Sequence, residues 1–176
     1  MKNLFVLFIL LTAFSLTNAQ QMYLGLGGKI ALPMGTFGDV TSTGFGGGGK
    51  FEYKFKNQIN LTGSIDYLSF SAKEDFIGAT WSVIPVMVGA KYYIDKSFYG
   101  GVEFGLNFNS VTVKIPAGFW GAASEVTTSE SKFGFGFGAG YEIPMNKAAI
   151  DLSVKYSNFA TDANAIVIGV AYKFGI

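Results

Sequence analysis

The sequence predicts an all-β protein: an eight-stranded antiparallel up-and-down transmembrane β-barrel. Three observations predict it. Apolar and polar residues alternate with period two in eight long runs. One face of those runs carries no charge. The connections between runs alternate between long and short.

Composition narrows the field first. The chain has 176 residues, with 24 Gly, 18 Phe and 9 Tyr. Glycine is at roughly twice its usual share. Without Cys there is no disulfide framework, zinc ribbon or iron–sulfur cluster. Without His there is no Ser-His-Asp triad and no histidine general base. All 13 basic residues are Lys, balanced by 12 acids, so nothing in the charge points to nucleic acid. No cofactor or metal is expected.

Residues 1–19 read as a cleaved signal peptide. Lys2 charges the start, Leu4–Leu16 is apolar, and Thr17-Asn18-Ala19 is a small-residue cleavage site. The apolar run makes about 20 Å of helix, short of a roughly 30 Å hydrocarbon core. Residues 20–176 form the barrel domain. Lys2 leaves with the signal, so 12 acids then face an equal number of lysines.

The strands follow in order. Met22–Leu32 turns Met22, Leu24, Leu26 and Ile30 to one face, and Gly44–Phe55 turns Phe45, Phe51, Tyr53 and Phe55. Gln58–Phe70 presents Ile59, Leu61, Ile65 and Tyr67; Thr80–Ile94 presents Ile84, Val86, Val88, Ala90, Tyr92 and Ile94. Phe98–Ser110 presents Phe98, Val102, Phe104, Leu106 and Phe108; Lys132–Ile143 presents Phe133, Phe135, Phe137, Tyr141 and Ile143. Ala149–Asn158 presents Ile150, Leu152, Val154 and Tyr156; Ala165–Ile176 presents Ile166, Ile168, Val170, Tyr172, Phe174 and Ile176. Runs of this length suit a tilted strand crossing a bilayer, which needs about 9–11 residues. Interior glycines would each cost a helix about 1 kcal/mol.

The gaps at Lys56-Asn57, Asp95–Ser97 and Pro144–Ala148 are tight. Those at Pro33–Thr43, Ser71–Ala79 and Val111–Ser131 are long, and Phe159–Asn164 is intermediate. Short periplasmic turns with longer outer loops are the habit of outer-membrane barrels.

Face content separates a membrane barrel from a soluble one. The polar face holds Lys29, Lys50, Glu52, Lys54, Asp66, Lys91, Glu103, Lys132, Glu142, Asp151, Lys155 and Lys173. It also holds most strand glycines. An eight-stranded lumen is just wide enough for side chains to fill, so long charged side chains need glycines opposite them. These charges are expected to form a paired network plugging the lumen, because unpaired buried charge is costly. Tyr53, Phe55, Tyr92, Phe98, Tyr141, Tyr172 and Phe174 lie on the apolar face near the short turns, as an interfacial aromatic girdle would.

Gly25-Leu26-Gly27-Gly28 followed by Pro33–Gly38, then Ile84–Tyr93, Tyr99–Gly105 and the closing Val170–Phe174, carry a resemblance. The chain resembles small outer-membrane barrels of the OmpA/OmpX type, in detail the porin-family "outer membrane protein beta-barrel domain" proteins of Bacteroidota. The resemblance implies a bacterial outer-membrane location, a lipid environment and passage through the barrel-assembly machinery. Such barrels often end on an aromatic; here Phe174 is third from last and Ile176 is last. No peptidoglycan-binding domain is expected after the barrel.

Glycine-rich Gly44–Lys50 and Gly134–Gly140 invite a phosphate-loop reading, but no helix follows either. Known membrane-barrel enzymes generally use His, so no enzyme is expected; acid pairs such as Glu52 and Asp66 are the residual feature to check. Phe119 and Trp120, in the longest loop, are a possible contact with an extracellular partner, or else fold over the barrel mouth. The expected protein is a monomer with a structural, adhesion or surface-interaction role. A narrow conduit and a soluble lipocalin-like carrier are the alternatives.

Overall fold

In a computed structural model, residues 22–73, 78–115, 124–146 and 148–176 are described. The signal segment and the Phe119-Trp120 pair lie outside these residues. Eight antiparallel strands close in chain order: β1 (Met22–Met34), β2 (Gly44–Lys56), β3 (Ile59–Ser71), β4 (Ala79–Tyr93), β5 (Phe98–Ile115), β6 (Ser124–Met145), β7 (Ala148–Ala160) and β8 (Ala163–Gly175). Pairing of β1 with β8 runs from Tyr23↔Gly175 to Met34↔Asn164, and seals the wall without an edge.

The alternation fixes which side each residue takes. Leu26, Phe45, Ile65, Val88, Phe104, Phe137 and Val170 all stand outward and exposed. Among the described residues, outward charge appears only past the wall's ends: Lys56 at the β2–β3 turn, and Lys114 opposite Glu125 above β4. All seven predicted girdle residues point outward at the short-turn end; Tyr53 and Phe174 are half-buried and the other five exposed. Inward positions are polar or glycine through most of the wall and apolar near the outer mouth, as at Leu68, Phe70, Val83 and Val167. A Cβ on Gly134 would overlap the Asn107 amide, one on Gly140 the Tyr99 ring, and one on Gly48 the Asp66 carboxylate.

Three connections differ from the sequence expectation. The predicted loop Val111–Ser131 is mostly strand. β5 and β6 continue as a ribbon to Ile115↔Ser124, with hydroxyl pairs Ser110–Ser129 (2.8 Å) and Thr112–Thr127 (3.0 Å). Ser and Thr alternating with Val111, Val113 and Val126 sustain this two-residue period. Pro33–Thr43 contains a short helix, α1 (Gly35–Val40), which Gly35 enters at φ +59°. The β7–β8 connection is a two-residue turn, Thr161-Asp162, with Asp162 at φ +61°, a conformation Asp tolerates. The outer side therefore has one very short connection.

Pro85 interrupts one ladder. Pairing of β3 with β4 skips from Ile65↔Val86 to Leu68↔Val83, as a residue without an N–H requires. Both glycine-rich runs lie within strands, β2 and β6, so neither opens a helix that would hold phosphate.

Candidate functional site: a layered lumen

The inward side chains stack in layers. At the short-turn end, Glu52 (β2), Lys91 (β4), Glu142 (β6), Asp151 (β7) and Lys173 (β8) converge. Lys91 Nζ lies 3.0 Å from Glu52 Oε2, 3.1 Å from Glu142 Oε1 and 2.9 Å from Asp151 Oδ2. Lys173 Nζ lies 2.5 Å from Glu142 Oε2 and 3.4 Å from Glu52 Oε1. Asn60 Nδ2 donates to Glu52 Oε1 at 2.5 Å, and the Tyr99 hydroxyl donates to Asp151 Oδ1 at 2.6 Å. The Tyr93 hydroxyl sits 2.7 Å from Glu52 and 2.6 Å from Glu142; with one hydrogen, it donates to one at a time. Lys91 also stands 4.0 Å over the Tyr99 ring, which shields it from water.

Above this network is a second layer. Lys29 pairs with Asp66, and Lys155 pairs with Glu103. Lys50 shares the layer with them. Two predicted members lie elsewhere. Lys132 is 46% exposed and pairs with Glu130 at 3.1 Å, at the foot of the ribbon. Lys54 is exposed and lines the vestibule at the short-turn end. Their inward parity was legible, but they sit past the ends of the enclosed lumen. Without them, five lysines face five carboxylates. Glu52 and Asp66 are split between the two layers, Asp66 against Lys29 and Glu52 against Lys91 and Lys173, so these two acids do not come together.

The outer mouth is closed by apolar residues. Phe37 of α1 drops between Phe70 (5.0 Å between ring centroids) and Trp81 (4.4 Å), with Phe159 6.0 Å beyond Phe70. Leu68, Val83, Ala163 and Val167 complete this cork. Thr41 Oγ1 donates to Phe37 O at 2.6 Å, and Lys73 Nζ to Gly38 O at 2.5 Å, tying α1 down. Beneath it, Trp81 Nε1 donates to Asn109 Oδ1 (3.2 Å), and Asn109 Nδ2 to Phe159 O (3.3 Å). The cork is absent from the sequence expectation. Its signal there is Phe70, Trp81 and Phe159, aromatics out of phase with the lipid-facing set.

Between the layers lie three small chambers, of about 40, 30 and 10 Å³. Each has room for no more than a few waters. A wider vestibule of about 450 Å³ opens at the short-turn end, lined by Tyr23, Lys54, Asn60, Tyr93, Glu142 and Lys173 among others.

The architecture has solved counterparts. Ail, the attachment invasion locus protein of Yersinia pestis, superposes with a TM-score of 0.62 at 17% identity, over 88% of this chain and 99% of Ail. Neisserial surface protein A gives 0.57 at 13% identity, over 88% of this chain and 97% of that one. OprG from Pseudomonas aeruginosa gives 0.55 at 14% identity, over 89% and 97%. No curated protein matches the chain. The family described as "Outer membrane protein beta-barrel domain" matches residues 4–174. With its lipid-ready wall and closed ring of eight strands, this chain belongs to that family, a β-barrel protein of the bacterial outer membrane.

Proposed function

We propose that the protein is a non-enzymatic, monomeric barrel with a plugged lumen that serves as a scaffold for surface interaction. The observation that carries this reading is the lumen. Among the described residues, an apolar cork, two ion-pair layers and small chambers of about 40 Å³ or less stand in the way of a solute. A narrow conduit fits less well, because its walls would have to move Phe37 and Lys91 together.

What reaches beyond the membrane is the β5–β6 ribbon. From Ser124 to Gly134, β6 pairs with β5 only, since its pairing with β7 begins at Phe135. This stretch offers free backbone donors and acceptors, and Val113 and Val126 stand exposed on it. Phe119 and Trp120 lie between Ile115 and Ser124 in the sequence. The reading further includes outer-membrane lipid around the girdle, and recognition of the Phe174–Ile176 end by the assembly machinery after removal of residues 1–19.

The test excises the ribbon. Thr112 and Thr127 are cross-strand partners, so residues 113–126 can be replaced by Asn-Gly, a two-residue hairpin turn. Cells bearing the shortened protein at unchanged outer-membrane level should lose attachment to the surfaces or partner cells that the full protein supports. Unchanged attachment would count against the surface-interaction role.

A further inference from the structure

We propose that the middle of the lumen is a binding site for a small monovalent anion of chloride's size, held by Lys50. Three lysines and two carboxylates share this layer. Both carboxylates are engaged, Asp66 by Lys29 and Glu103 by Lys155. The next carboxylate below, Asp151, is also committed: Oδ1 takes the Tyr99 hydroxyl at 2.6 Å and Oδ2 takes Lys91 at 2.9 Å. Among the described residues, Lys50 makes no ion pair and no hydrogen bond.

Lys50 instead faces empty space. It lines both the 40 and the 30 Å³ chambers, which also share Lys29 and Ser153; Thr62 borders the larger one. Glycine walls keep this space open. A Cβ on Gly136 would stand 3.2 Å from the Glu103 side chain, and one on Gly169 2.9 Å from Ser153 Oγ. In the larger chamber Lys29, Lys50, Lys91 and Lys155 face a single carboxylate, Glu103, beside the hydroxyls of Thr62 and Ser153. The smaller is also lined by Glu52, Asp66 and Asp151, so the larger chamber, with its excess of cation, is the anion's place. That chemistry suits an anion and repels a metal ion. Its size admits a halide, little larger than water, and excludes organic anions. Water is the competing occupant, but water leaves the Lys50 charge uncompensated in its layer, where an unpaired ion is costly. The excess carboxylate that balances the lumen as a whole lies a layer below, where Glu52, Glu142 and Asp151 stand against Lys91 and Lys173.

An occupant that binds only the folded state raises its stability with the logarithm of one plus its concentration over its Kd. The experiment compares urea unfolding midpoints of the detergent-folded protein in chloride and in gluconate at equal ionic strength. Lys50→Met removes the cation. Ser153→Asp keeps every lysine and supplies a tethered carboxylate in the anion's place. The wild type should unfold at a higher urea midpoint in chloride, and both variants should lose that increment. Crystals grown in bromide should show an anomalous peak beside Lys50 Nζ. Equal wild-type midpoints in the two salts would overturn the proposal. So would an increment retained by either folded variant, or bromide found only at the surface as an adventitious ion. Should Lys50→Met fail to fold, Ser153→Asp and the bromide position decide.

Discussion

Lys91 is the residue on which the inner network turns. It is buried and touches three carboxylates, each of which would lose a partner if it went. Removing one member of a buried ionic cluster costs about 3–5 kcal/mol. Lys91→Met should therefore lower unfolding stability in detergent by about that much, whereas Lys132→Met should change it by no more than about 0.5 kcal/mol. Equivalent losses would mean that the enclosed lumen extends further than the burial shows. Residue type and parity in the sequence were enough to point all these lysines inward. They did not reveal where the lumen stops, because that depends on how far the neighbouring strands reach. Lys132 is inward by parity, yet β7 ends its pairing at Asn158, opposite Phe135, and leaves Lys132 in the open.

At the scale of elements, the tight turns are held by local chemistry. Asp95 accepts hydrogen bonds from the backbone N–H groups of Ser97 and Phe98, both at 2.7 Å. Those donors, that of Phe98 first, hold its carboxyl below the usual range. A group depressed in this way stabilises the fold above its ordinary pKa of about 4, and that contribution fades as pH falls through the lower folded-state value. Asp95→Asn should thus weaken the β4–β5 turn at neutral pH, with the difference from wild type vanishing in strong acid; pH-dependent unfolding curves will show it. The strands themselves were legible because lipid on one side and a filled lumen on the other enforce strict alternation. Two elements escaped. The ribbon was hidden because Ser, Thr and Glu read equally as loop, and only pairing across to Val111–Ile115 makes them strand. The cork was hidden because α1 is six residues long, too short for a helical period to show, and Phe37 is placed by contacts with Phe70 of β3 and Trp81 of β4.

At the scale of the molecule, the two faces of the wall obey different solvents. Val170 stands outward, opposite Gly28 and Leu152. Lysine there must cross into hydrocarbon, at a cost of roughly 2–4 kcal/mol near the midplane. Val170→Lys should reduce the folded, heat-modifiable fraction in lipid vesicles, and the same change at Ser153, inside the lumen, should reduce it less. Inside, the barrel is stratified: apolar cork, two ionic layers, open vestibule. The strand count, the outward face and most of the ionic residues are legible in the amino-acid sequence, since they follow from period and charge. The closure of the mouth is not, since it is a contact between a loop and strands distant in sequence. The most direct measurement of the central claim is electrical. Purified protein, shown by heat-modifiable migration to be folded and inserted in a planar bilayer, should give no steady conductance. A stable ohmic conductance, shifted in ion selectivity by Lys91→Glu, would contradict the plugged lumen and make the barrel a pore.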